Sequence, residues 1–242
     1  MRLVYREITD VDILAIGIHP DDIELGAGGT VLSHIAQGYR LGLCDLTQGE
    51  LGTRGDAPTR LKESAAAAES MGVDWRVNLE MRDGFSKVDE DHILSIAEII
   101  RQCRPKILIA NSVHDRHPDH ARGATLVREA HFFAGLKKIT SLSEKAHRAD
   151  VLYHYVQDEY IQPDFCVDVS PYVSGKFEAI TTYTTQFYQG EEDGDQTAIS
   201  GKRFLEFLDG RMRDFGRSIG VSHAEGFTAH RNIGVASISD LI

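Results

Sequence analysis

The sequence predicts an α/β fold in which a mostly parallel sheet is covered by helices on both faces. In the first half of the chain, short apolar runs rich in β-branched residues alternate with stretches of helical spacing. The connections between them are short, which is typical of parallel strands joined by helices. A length of 242 residues fits one domain, and no internal repeat or low-complexity linker divides the chain. We therefore expect a single domain over residues 1–242.

The first half supplies four strand–helix pairs. The run DILAIGI forms the first strand, and Gly38 closes the helix that follows, since glycine readily adopts the left-handed backbone at a helix end. Thr59 and Gly72 are expected to begin and end the second helix in a similar way. In chain order the predicted elements are strand 12–18, helix 29–38, strand 39–47, helix 59–72, strand 75–80, helix 89–104, strand 106–112 and helix 118–135.

The second half is less regular and predicts an elaborated C-terminal part. Two strand-like runs are followed by a helix started by Pro171, which suits a first helical turn. Gly210 is expected to interrupt the last helix. The predicted elements are strands 151–160 and 164–170, helix 171–187, a solvated loop at 191–196 and helix 203–220. Together with the first half, they predict a Rossmann-like sheet.

The composition limits the partners that the chain can have. There are 26 Lys and Arg against 37 Asp and Glu, so the formal net charge is -11. Nucleic acids and anionic membranes bind basic patches, so we expect neither as a partner. The three cysteines form no CxxC pair, which favours buried thiols in a reducing compartment. The first residues carry three acidic charges, unlike a signal peptide, and we expect a cytoplasmic protein.

Two similar motifs follow two of the predicted strands. HPDD, at 19–22, comes after the first strand, and HPDH, at 117–120, comes after the fourth. Ligands of open parallel sheets bind beyond the carboxyl ends of the strands. We therefore expect the two motifs to form one site.

The HPDD motif offers one imidazole and two adjacent carboxylates. His and Asp are common ligands of Zn²⁺ and related metals. Neighbouring residues in an irregular turn point in different directions, so only one of Asp21 and Asp22 readily joins His19 on a common ion. The other carboxylate is then free to accept a proton from water. The alternative is that the two aspartates only cap the helix beginning near Gly26.

The HPDH motif offers two histidines at the start of a helix. Pro118 suits the first turn, which places His117 at or beside the N-cap and His120 near the third position. Residues three apart lie on one side of a helix, so both imidazoles can face the crevice. One completes a His-Asp-His metal set and the other stands beside it; the alternative is a pair of surface histidines. His114 and Asp115 are interpreted as loop residues.

Three further features are weighed against this site. The run GAGGT at 26–30 lacks the spacing of a dinucleotide-binding loop, so we expect its glycines to allow close packing of helix on sheet. Arg54 and Arg60 follow the second strand and are candidates for gripping an anionic substrate, or else face solvent. No GxSxG motif is present, so covalent catalysis has little support.

The motifs resemble those of the PIG-L/LmbE-like zinc N-deacetylases. HPDDIE after the first strand and HPDH after a later strand carry the resemblance. The stretches GYRLGLCDLTQGELGTRG, TRLKES, TTQFY and GVSHAEGF extend it from about residue 12 to 230 and are most similar to the deacetylases of bacillithiol biosynthesis. The resemblance implies removal of an N-acetyl group from an N-acetylglucosamine conjugate, in particular N-acetylglucosaminyl-malate, by a homo-oligomer.

The resemblance also implies a metal set. His19, Asp22 and His120 would bind Zn²⁺, one ion per chain, with Fe²⁺ as an open alternative. Asp21 would be the general base.

The remaining implied roles concern the substrate. His117 would stabilise the oxyanion or protonate the departing amine, Asp119 would orient His117, and Arg60 would contact the substrate.

Three rival functions remain open at this point. They are another metallohydrolase such as a phosphoesterase, a deacetylase or amidase of a different N-acetylglucosaminyl conjugate, and a non-catalytic module that binds a sugar or nucleotide. The module predicts no stoichiometric metal, and it would leave Asp21 and His117 without a purpose.

Overall fold

The computed structural model describes residues 1–142, 144–187 and 195–241 and confirms the predicted α/β class. Its centre is an eight-stranded mixed sheet in the order β1-β4-β3-β2-β5-β6-β8-β7. The strands are β1 (Arg2–Tyr5), β2 (Ile13–Gly17), β3 (Leu41–Thr47), β4 (Trp75–Met81), β5 (Ile107–Ala110), β6 (Val151–Tyr155), β7 (Phe165–Asp168) and β8 (Ala224–Ala229).

Five neighbouring strands of this sheet run parallel. β4, β3, β2, β5 and β6 pair in parallel, whereas β1 pairs antiparallel with β4, and β8 pairs antiparallel with both β6 and β7. The strand order reverses at β2, which has β3 on one side and β5 on the other. Such a reversal opens a crevice at the carboxyl ends of the two central strands.

Helices connect the parallel strands and cover both faces. They are α1 (Asp22–Ala36), α2 (Ala57–Met71), α3 (Glu90–Cys103), α4 (Pro118–Ala134), α5 (Val173–Thr181) and α6 (Lys202–Ile219), with short 3₁₀ turns at Ser170–Tyr172 and Ile238–Leu241. Among the described helices, none is long and apolar enough to cross a membrane.

The side-chain alternation of β2 divides the core into two layers. Leu14 and Ile16 pack in the layer that includes α3 and α4, whereas Ile13 and Ala15 pack in the layer that includes α1 and α2. Successive side chains of a strand point to opposite faces, so a fully apolar strand serves both layers. β2 is therefore held rigidly from both sides directly before the HPDD motif.

The glycines of the GAGGT run allow close packing, as the sequence predicts. A Cβ on Gly26 would lie 2.1 Å from the ring of Tyr155 in β6, and one on Gly29 would lie 2.7 Å from Val169. These distances leave no room for a side chain. Helix α1 therefore lies directly on the sheet beneath the first motif.

Several element boundaries differ from the prediction. Helix α1 begins at Asp22 rather than residue 29, so the HPDD motif leads straight into it. Helix α6 runs through Gly210 without a break, because its buried face, with Leu208, Met212 and Phe215, holds it against the core. Helix α5 ends at Thr181 rather than residue 187.

The strands β1 and β8 were not predicted. β1 has only four residues, and polar and small residues interrupt the apolar pattern of β8. The predicted loop at 191–196 lies mostly outside the described residues, and so does Tyr188 of the TTQFY motif.

Candidate active site and metal centre

The two HPD motifs meet at the carboxyl ends of β2 and β5. The backbone N–H of Ile18, beside the first motif, donates to the side-chain oxygen of Asn111 at the end of β5 over 2.8 Å. The ring centroids of His19 and His117 lie 4.8 Å apart, and those of His19 and His120 lie 5.6 Å apart. The chain thus brings together residues separated by about a hundred positions.

Asp22 lies between two histidines of these motifs. Its Oδ1 is 3.2 Å from His120 Nε2, and its Oδ2 is 3.6 Å from His19 Nδ1. The carboxylate is buried and also accepts from the side-chain amides of Asn111, at 2.9 Å, and Gln157, at 2.6 Å. Burial alone would raise its pKa, but the two facing imidazoles hold the pKa of Asp22 well below the ordinary value. Asp22 is therefore an ionised carboxylate.

Each of these histidines is oriented by a second carboxylate. His120 Nδ1 lies 2.8 Å from Asp115 Oδ2, and His19 Nε2 lies 2.9 Å from Asp83 Oδ1. Metal-binding histidines usually donate their other ring N–H to a carboxylate, which fixes the ring and the tautomer. Both histidines consequently turn their remaining nitrogen towards Asp22.

Asp115 also accepts backbone N–H groups of residues 158 and 159, at 3.2 and 2.8 Å, so it is a fixed and buried partner. Asp115 lies in the loop between β5 and α4, as predicted, and its carboxylate also supports the site. His114, by contrast, is exposed and lies 3.0 Å from Glu159 at the surface.

The donor set of His19, Asp22 and His120 has the chemistry of a divalent-metal site. Nitrogen and oxygen ligands of tetrahedral zinc, bound at about 2.0–2.1 Å, lie about 3.3 Å from one another. The two contacts around Asp22, at 3.2 and 3.6 Å, are near this spacing, and each uses a different oxygen of the carboxylate.

Two groups within the described residues have ligand atoms lying within 4.8 Å of one another. One comprises His19, His117 and His120, and the other comprises His19, Asp83 and Asp119. The protein therefore has a histidine- and aspartate-rich metal site, and the choice of Asp22 over His117 as a ligand stays a prediction.

Asp21 has an unusual backbone conformation, and its side chain does not cap the helix. It occupies the N-cap of α1 with φ 114° and ψ −25°, and its side chain makes no capping hydrogen bond. A left-handed backbone is costly for a residue with a Cβ, and such strain tends to occur at functional sites. For Asp21, the structure therefore does not support the alternative that the two aspartates only cap the helix.

The Asp21 carboxylate forms an ion pair with Arg60, since its Oδ2 accepts from Arg60 Nη2 at 2.9 Å. Burial raises the pKa of Asp21 to about 7, and the Arg60 guanidinium limits the rise. A buried carboxylate whose pKa lies near neutrality is well suited to accept and release a proton.

Arg60 is built into the wall of the site. It is only 5% exposed, and its guanidinium donates to the carbonyl oxygens of Pro20, at 2.6 Å, and Gly49, at 3.1 Å, as well as to Asp21. A Cβ on Gly49 would lie 2.0 Å from this guanidinium, so the loop requires a glycine there. Arg60 lines the cavity, but its contacts position Asp21.

Arg54 plays a different part from Arg60. Its backbone carbonyl accepts from the side chain of Gln186 at 2.6 Å. Thr53, before it, and Arg60, six residues after it, line the cavity. Its predicted contact with substrate is untested.

His117 occupies the N-cap of α4, as the sequence predicts. Its backbone is extended, and its Nδ1 accepts the N–H of Asp119 at 3.3 Å. Nδ1 is thus unprotonated, and Nε2 carries the ring proton. Burial and the neighbouring His19 and His120 lower the pKa of His117, which keeps the ring neutral at pH 7.

The carboxylate of Asp119 makes its hydrogen bonds with groups other than His117. It accepts from Arg122 and from the N–H of Gly84, the latter at 2.8 Å, and lies 3.5 Å from His19 Nε2. The contact between Asp119 and His117 therefore runs through the backbone, and the Asp119 carboxylate supports His19 instead.

A cavity of about 420 Å³ opens above these residues. Its floor contains His19, Asp21, Asp83 and His117, and its walls contain Leu51, Gly52, Thr53, Arg60, Gly84, Arg116, Gln186, Thr197, Ala198 and Ile199. A cavity of this size accommodates a molecule such as an amino sugar carrying a small substituent.

Four polar residues of the site were missed at the sequence level. Asp83, Asn111, Asp115 and Gln157 all follow the carboxyl ends of β4, β5 or β6. Their placement after parallel strands is the signal that could have found them, since these strand ends face the same crevice.

Comparison with known proteins gives the family. Residues 14–131 match the family described as PIG-L: GlcNAc-PI de-N-acetylase. The chain is 30% identical over 191 residues to diacetylchitobiose deacetylase of Thermococcus kodakarensis, with 72% of this chain and 70% of that protein covered. It is 26% identical to 4-oxalmesaconate hydratase of Pseudomonas putida, with 69% and 70% covered.

A solved structure shares the fold over nearly the whole chain. The conserved protein TT1542 of Thermus thermophilus is 32% identical and superposes with a TM-score of 0.85 over 94% of this chain and 98% of that one. The chain belongs to the PIG-L family. The predicted class of enzyme, a metal-dependent N-deacetylase that hydrolyses an amide C–N bond, is thereby confirmed.

Proposed function

We propose that the protein removes the N-acetyl group from an N-acetylglucosamine conjugate, with one Zn²⁺ held by His19, Asp22 and His120. The observation that carries the proposal is the pairing of this donor set with Asp21, a buried carboxylate that does not belong to it and is held by Arg60 at 2.9 Å. A site that only stores metal has no use for such a carboxylate, whereas hydrolysis requires a proton acceptor there.

The proposed chemistry divides between the metal and the residues of the chain. A bound divalent metal polarises a carbonyl and lowers the pKa of water. Asp21 accepts the proton of the attacking water, and its pKa of about 7 suits this task. Oxygen adds to the amide carbon, the C–N bond breaks, and acetate and a free amine are released.

His117 lies where its ring can donate a hydrogen bond to the reacting amide. Its Nδ1 is occupied by the N–H of Asp119, so its Nε2–H is the group that can donate. The ring lines the cavity beside Asp21, on the same side as the expected substrate. We assign the Nε2–H a hydrogen bond to the developing negative charge, while Asp21 passes the proton that it accepted from water to the departing amine.

The finer proposal for the substrate is N-acetylglucosaminyl-malate, as in bacillithiol biosynthesis. A malate conjugate carries carboxylates, which a guanidinium can bind. Arg60 is engaged by Asp21, so we assign this contact to Arg116, which lines the cavity and is half exposed. Its present ion pair with Asp158 is the contact that the substrate would replace.

Acetate release tests the proposal directly. Purified protein loaded with zinc is offered N-acetylglucosaminyl-malate, diacetylchitobiose and free N-acetylglucosamine, with a chelator-treated sample as the control. We expect release from the malate conjugate at the highest kcat/KM and loss of activity after chelation. Metal-loaded protein that releases acetate from none of the three would contradict the proposal.

One relative is a hydratase, so the assay needs a second control. An unsaturated dicarboxylic acid of the type that a hydratase uses is offered to the same preparation. Consumption of this acid without acetate release from any amide would replace the proposal by a hydration reaction.

A further inference from the structure

A second, smaller cavity lies on the other side of the metal site. Its volume is about 60 Å³, against about 420 Å³ for the large cavity. Its lining comprises Asp21, Asp22, Leu25, Arg116, His120, Gln157, Asp158, Ile199, Phe204 and Arg211. Three of these residues, Asp21, Arg116 and Ile199, also line the large cavity, so the two spaces adjoin.

The metal-site residues divide between the two cavities. His19 and His117 face the large cavity, and Asp22 and His120 face the small one. Asp21 borders both. An amide held between these residues would therefore have the large cavity on one side of its C–N bond and the small cavity on the other.

The two spaces match the two halves of the proposed substrate. The amine half is a sugar with a further substituent, which requires the large cavity. The acyl half is a two-carbon group. The small cavity, with a volume of about 60 Å³, suits the smaller of these two halves.

The apolar wall of the small cavity is formed by Leu25, Ile199 and Phe204. Leu25 lies in α1 and is 5% exposed, and it follows Asp22 by less than one turn of the helix. Phe204, at the start of α6, stacks on Phe187 with ring centroids 6.0 Å apart and an interplanar angle of 12°. Ile199 and Phe204 pack against the buried cluster that contains Leu25, so the three side chains form one wall.

We propose that the small cavity is the acyl subsite and that Phe204, together with Leu25 and Ile199, restricts the enzyme to acetyl groups. This assignment rests on the proposed function, and it adds which side of the amide each cavity receives and which residues set the acyl length. A phenyl ring at position 204 excludes the third and fourth carbons of a longer acyl chain.

Substrates that differ only in the acyl chain test the assignment. N-acetyl, N-propionyl and N-butyryl forms of the best amino-sugar substrate are compared by kcat/KM. In the wild-type enzyme we expect kcat/KM to fall by about 10-fold or more at each added methylene, since a confined pocket rejects one methylene by this amount. Phe204→Ala should raise the ratio of N-butyryl to N-acetyl turnover by about 10-fold or more.

Phe207→Ala is the matched control. Phe207 lies one turn further along α6 and is 55% exposed, outside both cavities. It should leave the acyl preference unchanged. Ile199→Ala enlarges the same cavity through a residue outside α6. It replaces Phe204→Ala in the test if circular dichroism shows that Phe204→Ala does not fold.

Binding of the free acids gives a readout that does not depend on turnover. Calorimetry should show that butyrate binds to Phe204→Ala more tightly, relative to acetate, than it binds to the wild-type protein. An acyl preference that stays within about twofold of wild type in both wall variants would overturn the assignment. A wild-type enzyme that accepts N-butyryl and N-acetyl substrates equally would overturn it too. Absence of acetate release from every substrate would instead refute the proposed function.

Discussion

Residues 19–22 and 117–120 share the letters His-Pro-Asp but have different backbones and different duties. In the first segment the aspartate, Asp21, occupies the N-cap with φ 114° and makes no capping bond. In the second the histidine, His117, occupies the N-cap with φ −82°, and its ring accepts a backbone N–H. The helix thus starts earlier in the second motif, at the proline rather than after the first aspartate.

This shift decides which side chain is left free of the metal set. In the first segment Asp22 opens the helix and points to the two histidines, while the strained Asp21 points to Arg60. In the second segment His120 reaches Asp22 from the third helical position, and His117 remains beside the cavity. Similar motifs therefore give different chemistry, because the local backbone conformation, rather than the residue types alone, sets the direction of each side chain.

The largest expected effect is the contrast between the two histidines of the second segment. His120→Ala removes a nitrogen that faces Asp22 and should abolish stoichiometric metal and all activity. His117→Ala should retain the metal and lose activity by about 10²–10³-fold, as expected for loss of a donor to the developing negative charge. Elemental analysis and acetate release measure the two effects. Loss of metal in His117→Ala but not in Asp22→Ala would favour the set of three histidines.

The next effect contrasts the aspartates at the same position of the two motifs. Asp21→Asn preserves shape but cannot accept a proton, so kcat should fall by about 10²–10⁴-fold with the metal retained. Asp119→Asn should cost less, because the Asp119 carboxylate contacts Arg122, Gly84 and His19 rather than the reacting groups. Steady-state kinetics on metal-verified samples measure both. An equal loss in the two variants would show that the backbone difference has no catalytic meaning.

A smaller effect concerns the carboxylates that orient the metal-site histidines. Asp115→Asn and Asp83→Asn should each weaken metal affinity by about 10–100-fold, since they disturb the ring held at 2.8 and 2.9 Å respectively. Competition with a chromogenic chelator gives the affinities. Glu159→Gln, whose exposed carboxylate pairs with His114 outside the site, is the control and should bind metal normally.

The smallest effect is on stability in the metal-free protein. Burial opposes protonation of His120, but Asp22 and Asp115 outweigh it and raise the pKa of His120 to about 9. The folded chain then holds a proton that the unfolded chain releases near pH 6.5, so this stabilisation is complete below pH 6.5 and is lost as the pH rises to about 9. The loss should be on the order of 2 kcal/mol.

Urea unfolding of chelator-treated protein at about pH 7 and about pH 9 measures this loss. His120→Gln cannot bind the proton and should show a distinctly smaller dependence on pH. A wild-type midpoint that does not change between the two pH values would contradict the prediction.

The sequence predicted the features that depend on local pattern. Alternation of apolar runs and helices placed both motifs at strand ends, and Pro118 located the N-cap at His117. The left-handed backbone of Asp21 has no such local signal, because glycine is the residue that normally marks it. Asp83 was missed because it meets His19, 64 positions away, through the sheet topology, which single-sequence periodicity does not contain. Asp115 was missed for a local reason, since its contact with His120, five positions on, depends on the conformation of the loop before α4.

Arg60 shows the same limit from another direction. Its position after the second strand indicated a place in the crevice, and it does line the cavity. Its contacts with Pro20, Gly49 and Asp21 depend on how the loop before α2 folds back onto the first motif. The position of Arg60 in the sequence could indicate a guanidinium near the site. Only the loop conformation shows that this guanidinium binds Asp21.

The bond between the Ile18 N–H and the Asn111 side chain has a consequence for how the chain folds. It joins residues 93 positions apart, across the point where β5 docks beside β2. Contacts of such long sequence separation form late, because closing the intervening loop costs entropy that local structure does not repay. A nascent chain that ends before β5 carries only His19, Asp22 and their neighbours and has no partner motif. Metal capture should therefore follow synthesis of the second motif and report on completion of the sheet.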